Sequence, residues 1–171
     1  WAPVEYGRRL WDTLYEAGED LDVRPMGGGA LSSMRLEKGY RLWGTDIDTD
    51  SNPYEAGLPF AVDLDTEFVG KDALERVKAE GVDAEITPLT LDDSTDILGT
   101  GRPVLVDGEA QGYVQAADFG YSIGESIAYT YLPTEYTDAG TSVQVRSEGE
   151  LYDATIRDEP LFDPGRNRIL R

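Results

Sequence analysis

Six short runs of β-branched and aromatic residues occupy the second half of the chain, and they constrain its fold more than any other feature. The runs cover residues 84–91, 103–106, 111–117, 127–132, 141–146 and 151–157. Turn residues separate them, and the pair Asp107-Gly108 is typical of a two-residue hairpin turn. Short strands at this spacing predict an antiparallel barrel or sandwich.

The first half of the chain has helical periodicity instead. Apolar residues at helical spacing predict one helix that ends near Gly18, a second that ends at Gly39, and a third over residues 71–80 that ends at Gly81. The segment 58–64 alternates between apolar and polar residues and predicts a strand.

Near residues 81–84 the sequence changes from helical periodicity to strand-like runs, which predicts a domain boundary. We therefore predict an α+β chain, in which residues 1–82 are the end of a mixed α/β domain and residues 83–171 form a small antiparallel β-barrel domain. The chain has 171 residues, 40% of them apolar, which is enough to fill the core of one ordinary domain or of one and a half small ones.

Two residue types are absent from the sequence, cysteine and histidine. The first absence excludes disulfides, thiolate metal sites and a cysteine nucleophile. The second removes the commonest general base and the usual ligand of transition metals. We predict no metal site.

Acidic residues outnumber basic ones by 34 to 15, which gives a net charge of -19. A phosphate backbone would be repelled over most of this surface, which argues against a nucleic-acid partner. Abundant carboxylates with only three lysines are typical of a salt-adapted (halophilic) cytoplasmic protein, although an ordinary acidic protein is the alternative. No apolar run has membrane-spanning length and no signal-peptide pattern is present, so we expect a cytoplasmic protein without a membrane partner.

The segment 27–57 contains the candidate binding residues. Arg35, Tyr40, Arg41 and Trp43 follow one another within nine positions. Guanidinium groups beside aromatic rings suit a flat, anionic, heteroaromatic ligand. The residue types alone also allow an alternative without a ligand, namely a surface helix followed by a packed loop. In that case Trp43 belongs to the core and Arg35 forms an ion pair with Glu37 or Asp46.

Two further motifs in this segment carry weaker signals. Three glycines at 27–29 lack the Gly-Lys-Ser/Thr of a phosphate loop and do not form a GxGxxG turn, so close backbone packing explains them better. Asp46, Asp48 and Asp50 resemble the opening of a calcium loop, but the glycine and the closing glutamate of an EF-hand are missing. A solvated acidic loop is the better interpretation.

Longer motifs extend from residue 30 to residue 164. They include ALSSMRLEKGYRLWGTDIDTDSNPYEAGLPFAV at 30–62, FVGKDAL at 68–74, GYV at 112–114 and EPLFDP at 159–164. Together they resemble the second half of the folate-binding aminomethyltransferase family, which includes the glycine cleavage T-protein and the C-terminal regions of dimethylglycine and sarcosine dehydrogenases. The wording MRLEKGYRLWG is closer to the dehydrogenases.

This resemblance implies a site for tetrahydrofolate, which captures a one-carbon unit as 5,10-methylenetetrahydrofolate. The carbon would come from an amine substrate oxidised in a flavin-binding domain, or from an aminomethyl group on a lipoyl carrier protein. Arg35 and Trp43 match the family motif and are the implied folate contacts. Tyr40 is a weaker candidate for such a contact, and Tyr121 is weaker again. Residues 1–82 would then be the C-terminal part of the folate-binding domain.

The resemblance also implies what this sequence lacks. The catalytic aspartate of the family lies in the N-terminal half, and no FAD fingerprint is present, so FAD would bind in that missing part. We expect no catalytic residue in this chain, which starts at Trp1 without an initiator methionine. Three interpretations follow: the C-terminal portion of a dimethylglycine or sarcosine dehydrogenase, that of an aminomethyltransferase of the glycine cleavage system, or a truncated non-catalytic remnant.

Overall fold

The computed structural model describes residues 1–168 and divides the chain into two compact units. The first unit comprises Trp1–Leu31, and the second begins at Ser32. The predicted division into residues 1–82 and 83–171 stays a prediction.

The first unit is built around helix α1, Gly7–Ala17, which lies between the 3-10 turns Val4–Tyr6 and Glu19–Leu21. The helix ends at Gly18 as predicted, and the amide of Gly18 donates to the carbonyl of Leu14 at 3.1 Å. A Cβ added to Gly18 would overlap Val23. Glycine is therefore needed here because the chain folds back closely over the end of the helix.

Helix α2, Gly28–Lys38, ends at Gly39 as predicted, and Gly39 has a φ of 71°. Helix α3, Lys71–Glu80, has the predicted bounds and ends at Gly81. The strand predicted over residues 58–64 is wrong: Pro59–Ala61 is a 3-10 turn there. Proline fixes the φ of the first residue of the turn. Phe60 is exposed, so the apolar residues of this segment are not packed in a core as those of a strand would be.

Six antiparallel strands form a closed barrel in the second unit, in the order β1-β4-β3-β2-β5-β6. This arrangement confirms the predicted barrel and excludes the sandwich. The strand bounds are β1 Ala84–Leu91, β2 Pro103–Val106, β3 Glu109–Gly120, β4 Glu125–Pro133, β5 Ser142–Ser147 and β6 Glu150–Ile156. Closure pairs every strand on both sides, so the barrel has no open edge.

Two apolar clusters stabilise the second unit. The first fills the barrel with fully buried aliphatic side chains, among them Leu89, Val104, Leu132, Val145 and Ile156. The second contains Leu36 of α2 together with barrel residues, which are Ile86, Ala116, Ile127 and Tyr129. Helix α2 therefore packs against strands β1, β3 and β4, and this contact positions the loop that follows the helix.

Strands β3 and β4 extend beyond the predicted runs at the end where they join each other. Their added residues pair as Phe119 with Ser126 and Gly120 with Glu125. The hydroxyl of Ser33 in α2 donates to the carbonyl of Phe119 at 2.6 Å, so the helix holds this extension in place. Among residues 1–168 no helix combines the length and the apolar character needed to cross a membrane.

Candidate functional site

A buried carboxylate organises the loop that follows α2. Oδ2 of Asp46 accepts hydrogen bonds from Nη1 of Arg35 at 2.5 Å and from the amide of Leu42 at 2.6 Å. The amide of Asp46 in turn donates to the carbonyl of Leu42 at 2.9 Å. The Asp46 side chain is 2% exposed, so the loop closes around a charge that is removed from solvent. Charge-assisted hydrogen bonds of this kind are the strong ones in proteins.

The barrel holds the same loop from the other side. The hydroxyl of Tyr131, in β4, donates to the carbonyl of Asp46 at 3.0 Å. Within the loop Gly44 has a φ of 81° and its amide donates to the carbonyl of Ile47 at 2.8 Å. Burial raises the pKa of Tyr131, so its hydroxyl keeps the proton that it donates.

Arg35, a predicted folate contact, lies inside this arrangement. Its side chain is 10% exposed, and Nη1 also donates to the carbonyl of Tyr40 at 3.2 Å. Of the two predicted ion-pair partners of Arg35, Asp46 is the one that pairs with it. Glu37 instead accepts a hydrogen bond from the amide of Ser122. A direct contact between Arg35 and folate stays a prediction.

Trp43 and Tyr40, the other predicted contacts, project from the loop towards solvent. Trp43 is 67% exposed and Tyr40 is 58% exposed. Trp43 therefore lies outside the core of the described residues. A bridge between Trp43 and Ile47 fixes the backbone at the indole. Exposed rings on a fixed backbone present faces on which a flat heterocycle can stack.

Glu37 is a site residue that sequence reasoning missed. It is 2% exposed, and its Oε1 accepts a hydrogen bond of 2.5 Å from the amide of Ser122. This bond fixes the turn between β3 and β4 against α2. Tyr121 in that turn is 78% exposed and lies edge-on to Phe119, with ring centroids 5.1 Å apart. The sequence analysis named Glu37 only as a possible partner of Arg35, and the acidic pattern gave no signal that this carboxylate is buried.

Arg41 is a structural residue. Its side chain is 5% exposed, Nη2 donates to Glu159 at 2.6 Å, and the guanidinium lies over the ring of Tyr129 at 5.0 Å. Burial raises the pKa of Glu159, and Arg41 offsets part of that rise. Lys38 holds the same C-terminal segment, since its Nζ donates to the carbonyl of Asp163 at 2.7 Å. The segment after β6 is therefore tied to the end of α2.

An acidic cavity of about 340 Å³ adjoins the loop. Its lining residues are Thr45, Asp46, Asp48, Asp50, Ser51, Glu55, Ala84, Gln115 and Tyr131. Such a lining repels anions and attracts cations. Residues 1–168 contain no group of three or more acidic residues arranged to hold a metal ion. None of the three predicted folate contacts lines this cavity, so the cavity and the exposed rings are separate features.

Two family models match the chain in order. Residues 1–66 match the GCVT N-terminal domain, and residues 85–163 match the glycine cleavage T-protein C-terminal barrel domain. The second range covers the barrel of the structure except its first residue, Ala84.

Several known proteins are similar to the chain. The mitochondrial dimethylglycine dehydrogenase of Homo sapiens is 36% identical over 94% of this chain and 19% of its own length. A probable aminomethyltransferase of Natronomonas pharaonis is 38% identical over 89% of this chain and 42% of its own length. The crystal structure of the glycine cleavage system aminomethyltransferase T from Bartonella henselae superposes with a TM-score of 0.81 at 26% identity, and covers 93% of this chain and 44% of that chain. The chain therefore spans less than half the length of these relatives.

Proposed function

Because this chain belongs to the glycine cleavage T-protein family, we propose that it is the C-terminal portion of a tetrahydrofolate-dependent one-carbon transfer enzyme. The observation that carries this proposal is the exposed indole of Trp43 on a loop that a buried ion pair fixes. The indole would form one wall of the folate site.

The structure of the loop supports the predicted aromatic contacts with folate better than the predicted arginine contact. The rings of Trp43 and Tyr40 are free to stack on a pterin or on its aromatic extension. The guanidinium of Arg35 already neutralises Asp46, so we assign it the role of a positioning residue that holds the loop. Tetrahydrofolate, when bound, would supply the amine nitrogens that accept the one-carbon unit.

This chain would contribute binding and orientation to the reaction. The Arg35–Asp46 pair and the hydroxyl of Tyr131 hold the backbone that carries the indole. A wall that is fixed before the ligand arrives loses little conformational entropy on binding. The one-carbon donor would be an amine substrate, and an acidic surface beside the loop would attract its ammonium form.

We propose the dimethylglycine or sarcosine dehydrogenase type, with FAD bound outside this chain, as the first candidate. The wording MRLEKGYRLWG and the 36% identity to the Homo sapiens dehydrogenase support it. The aminomethyltransferase of the glycine cleavage system is the second candidate. The 38% identity to the Natronomonas pharaonis relative and the superposition on the Bartonella henselae structure support that type equally well.

Two chimeras test the function and separate the candidates. In each, this chain replaces the segment that it matches, either in the Homo sapiens dehydrogenase or in the Natronomonas pharaonis aminomethyltransferase. The measurement is the tetrahydrofolate-dependent formation of 5,10-methylenetetrahydrofolate from the amine substrate of each host. We expect formation in the dehydrogenase chimera, and none by this chain alone.

The outcomes are distinct. Formation in the aminomethyltransferase chimera alone would favour the second candidate. Two chimeras that fold but form no 5,10-methylenetetrahydrofolate would overturn the proposal and leave the non-catalytic remnant. Turnover by the isolated chain would show that a catalytic group has been overlooked in it.

A further inference from the structure

Arg41 contacts both ends of the loop that carries Trp43. We call residues 40–56 the α2 loop, because they follow helix α2 directly. Nη1 of Arg41 donates to the carbonyl of Gly39 at 3.2 Å, and Nε donates to the carbonyl of Ala56 at 3.1 Å. The guanidinium therefore joins the residue before the loop to the last residue of the loop, and it closes the loop at its base.

The third nitrogen of the same guanidinium is held by the segment that follows β6. Nη2 of Arg41 donates to Oε2 of Glu159 at 2.6 Å, and the two side chains are 5% and 28% exposed. The carboxyl group of Glu159 also lies against the start of the loop, since a Cβ added to Gly39 would overlap it. Because a charge-assisted hydrogen bond is strong and directional, Glu159 fixes the orientation in which the guanidinium reaches both carbonyls.

Glu159 lies between two parts of the chain that are themselves anchored. Before it, the amide of Arg157 donates to the carbonyl of Pro88, in β1, at 3.0 Å. After it, the amide of Phe162 donates to the carbonyl of Glu37, in α2, at 2.9 Å. A side chain on a segment that is fixed on both sides has less conformational freedom to lose when it forms an ion pair. The contact with Arg41 is therefore built into the fold.

We propose that Glu159 is a positioning residue for the proposed folate site. Through Arg41 it keeps the base of the α2 loop closed, and with it the backbone that presents Trp43. The buried pair of Arg35 with Asp46 holds the middle of the loop and not its base. The effect of Glu159 on the affinity for tetrahydrofolate rests on the proposed function, whereas the closed base of the loop does not.

Hydrogen exchange in the 171-residue chain tests the contact without folate. In the Glu159→Ala variant we expect the amides of residues 42–56 to exchange about tenfold faster than in the unchanged chain, because the base of the loop opens more often. The matched control is Glu125→Ala, which removes the ion pair of Glu125, in β4, with Arg157 at 2.7 Å. Those two side chains are 37% and 42% exposed, and we expect this control to leave the exchange of the loop amides unchanged.

Calorimetric titration of tetrahydrofolate into the aminomethyltransferase chimera measures the consequence for binding. We expect Glu159→Ala to raise the Kd about fivefold, because the ligand must then order the loop. Glu159→Gln keeps an oxygen that accepts a hydrogen bond from Arg41, so its Kd should stay within about twofold of the unchanged chimera. Glu125→Ala should leave the Kd unchanged, since it removes an ion pair that does not hold the loop.

Two results would overturn the proposal. The first is equal exchange of the loop amides in the Glu159→Ala and Glu125→Ala variants. The second is a chimera that binds tetrahydrofolate with the same Kd in both variants, because the pair of Glu159 with Arg41 would then have no specific effect on the site. A chimera that binds no tetrahydrofolate would refute the proposed function instead. Faster exchange confined to Glu159→Ala would in that case still uphold the role of Glu159 at the base of the loop.

Discussion

At the scale of single residues, the loop after α2 depends on one carboxylate. Asp46 neutralises Arg35 and accepts the amide of Leu42, and both side chains of the ion pair are at most 10% exposed. Removing one partner of a buried pair leaves the other charge uncompensated, which costs about 3–5 kcal/mol. The position of Trp43 on this loop makes the same carboxylate important for the proposed site.

We expect Asp46→Asn to lower the free energy of unfolding by about 3 kcal/mol. Asparagine keeps an oxygen for Leu42 but cannot neutralise Arg35. Urea denaturation followed by fluorescence measures the change. The control is Glu67→Gln, which removes the pair with Lys71 at a side chain that is 90% exposed and should change the value by less than about 1 kcal/mol. Equal effects of the two substitutions would refute the role of Asp46.

The residue scale also shows where sequence reasoning stops. Arg35, Tyr40 and Trp43 could be selected because their residue types suit a flat anionic ligand, and the pairing of Arg35 with Asp46 was one of two alternatives. The actual partner of Glu37 could not be predicted, because the amide of Ser122 lies 85 positions away in the chain. A carboxylate becomes special only through burial, and a sequence in which acidic residues occur almost everywhere does not reveal which of them is buried.

At the scale of elements, α2 is held on the barrel by a small number of polar contacts beside an apolar cluster. The hydroxyl of Tyr129, in β4, donates to the carbonyl of Leu36 at 3.0 Å, and Tyr129 is 1% exposed. Burial raises the pKa of Tyr129, so the hydroxyl remains a donor throughout the physiological range.

Tyr129→Phe should lower the free energy of unfolding by about 1–2 kcal/mol, because the ring is kept and a buried hydrogen bond is lost. The matched control is Tyr121→Phe, at a tyrosine that is 78% exposed, which should leave stability unchanged. Chemical denaturation of the three proteins gives the comparison. A Tyr129→Phe protein as stable as the control would mean that the hydroxyl does not contribute to holding α2.

The elements themselves were largely predictable. Strands were recognised from β-branched runs bounded by turns, and α3 from apolar spacing and the terminal Gly81. The strand at residues 58–64 was wrong, since Pro59 begins a turn and no core lies beneath Phe60. Closure of the barrel could not be distinguished from a sandwich, because it depends on pairing between β1 and β6, whose paired residues lie more than 60 positions apart.

At the scale of the whole molecule, the net charge of -19 governs the response to salt. Like charges repel one another in the compact state, and raising the salt from 0.1 M to 1 M shortens the Debye length from about 10 Å to about 3 Å. We expect the Tm to rise over this range of sodium chloride, as measured by calorimetry. Sucrose at equal osmolality, which does not screen charge, serves as the control. A Tm that is unchanged or falls in sodium chloride would argue against salt adaptation.

The central claim concerns the exposed indole on its fixed loop. The most direct measurement is a calorimetric titration of tetrahydrofolate into the aminomethyltransferase chimera, compared with its Trp43→Ala variant and with Phe60→Ala, a control at a phenylalanine that is 84% exposed. Stacking of a base on an aromatic side chain contributes about 1–3 kcal/mol, so Trp43→Ala should raise the Kd about tenfold while Phe60→Ala leaves it unchanged. An equal Kd for the chimera and its Trp43→Ala variant would contradict the account, because the indole would then form no part of the folate site.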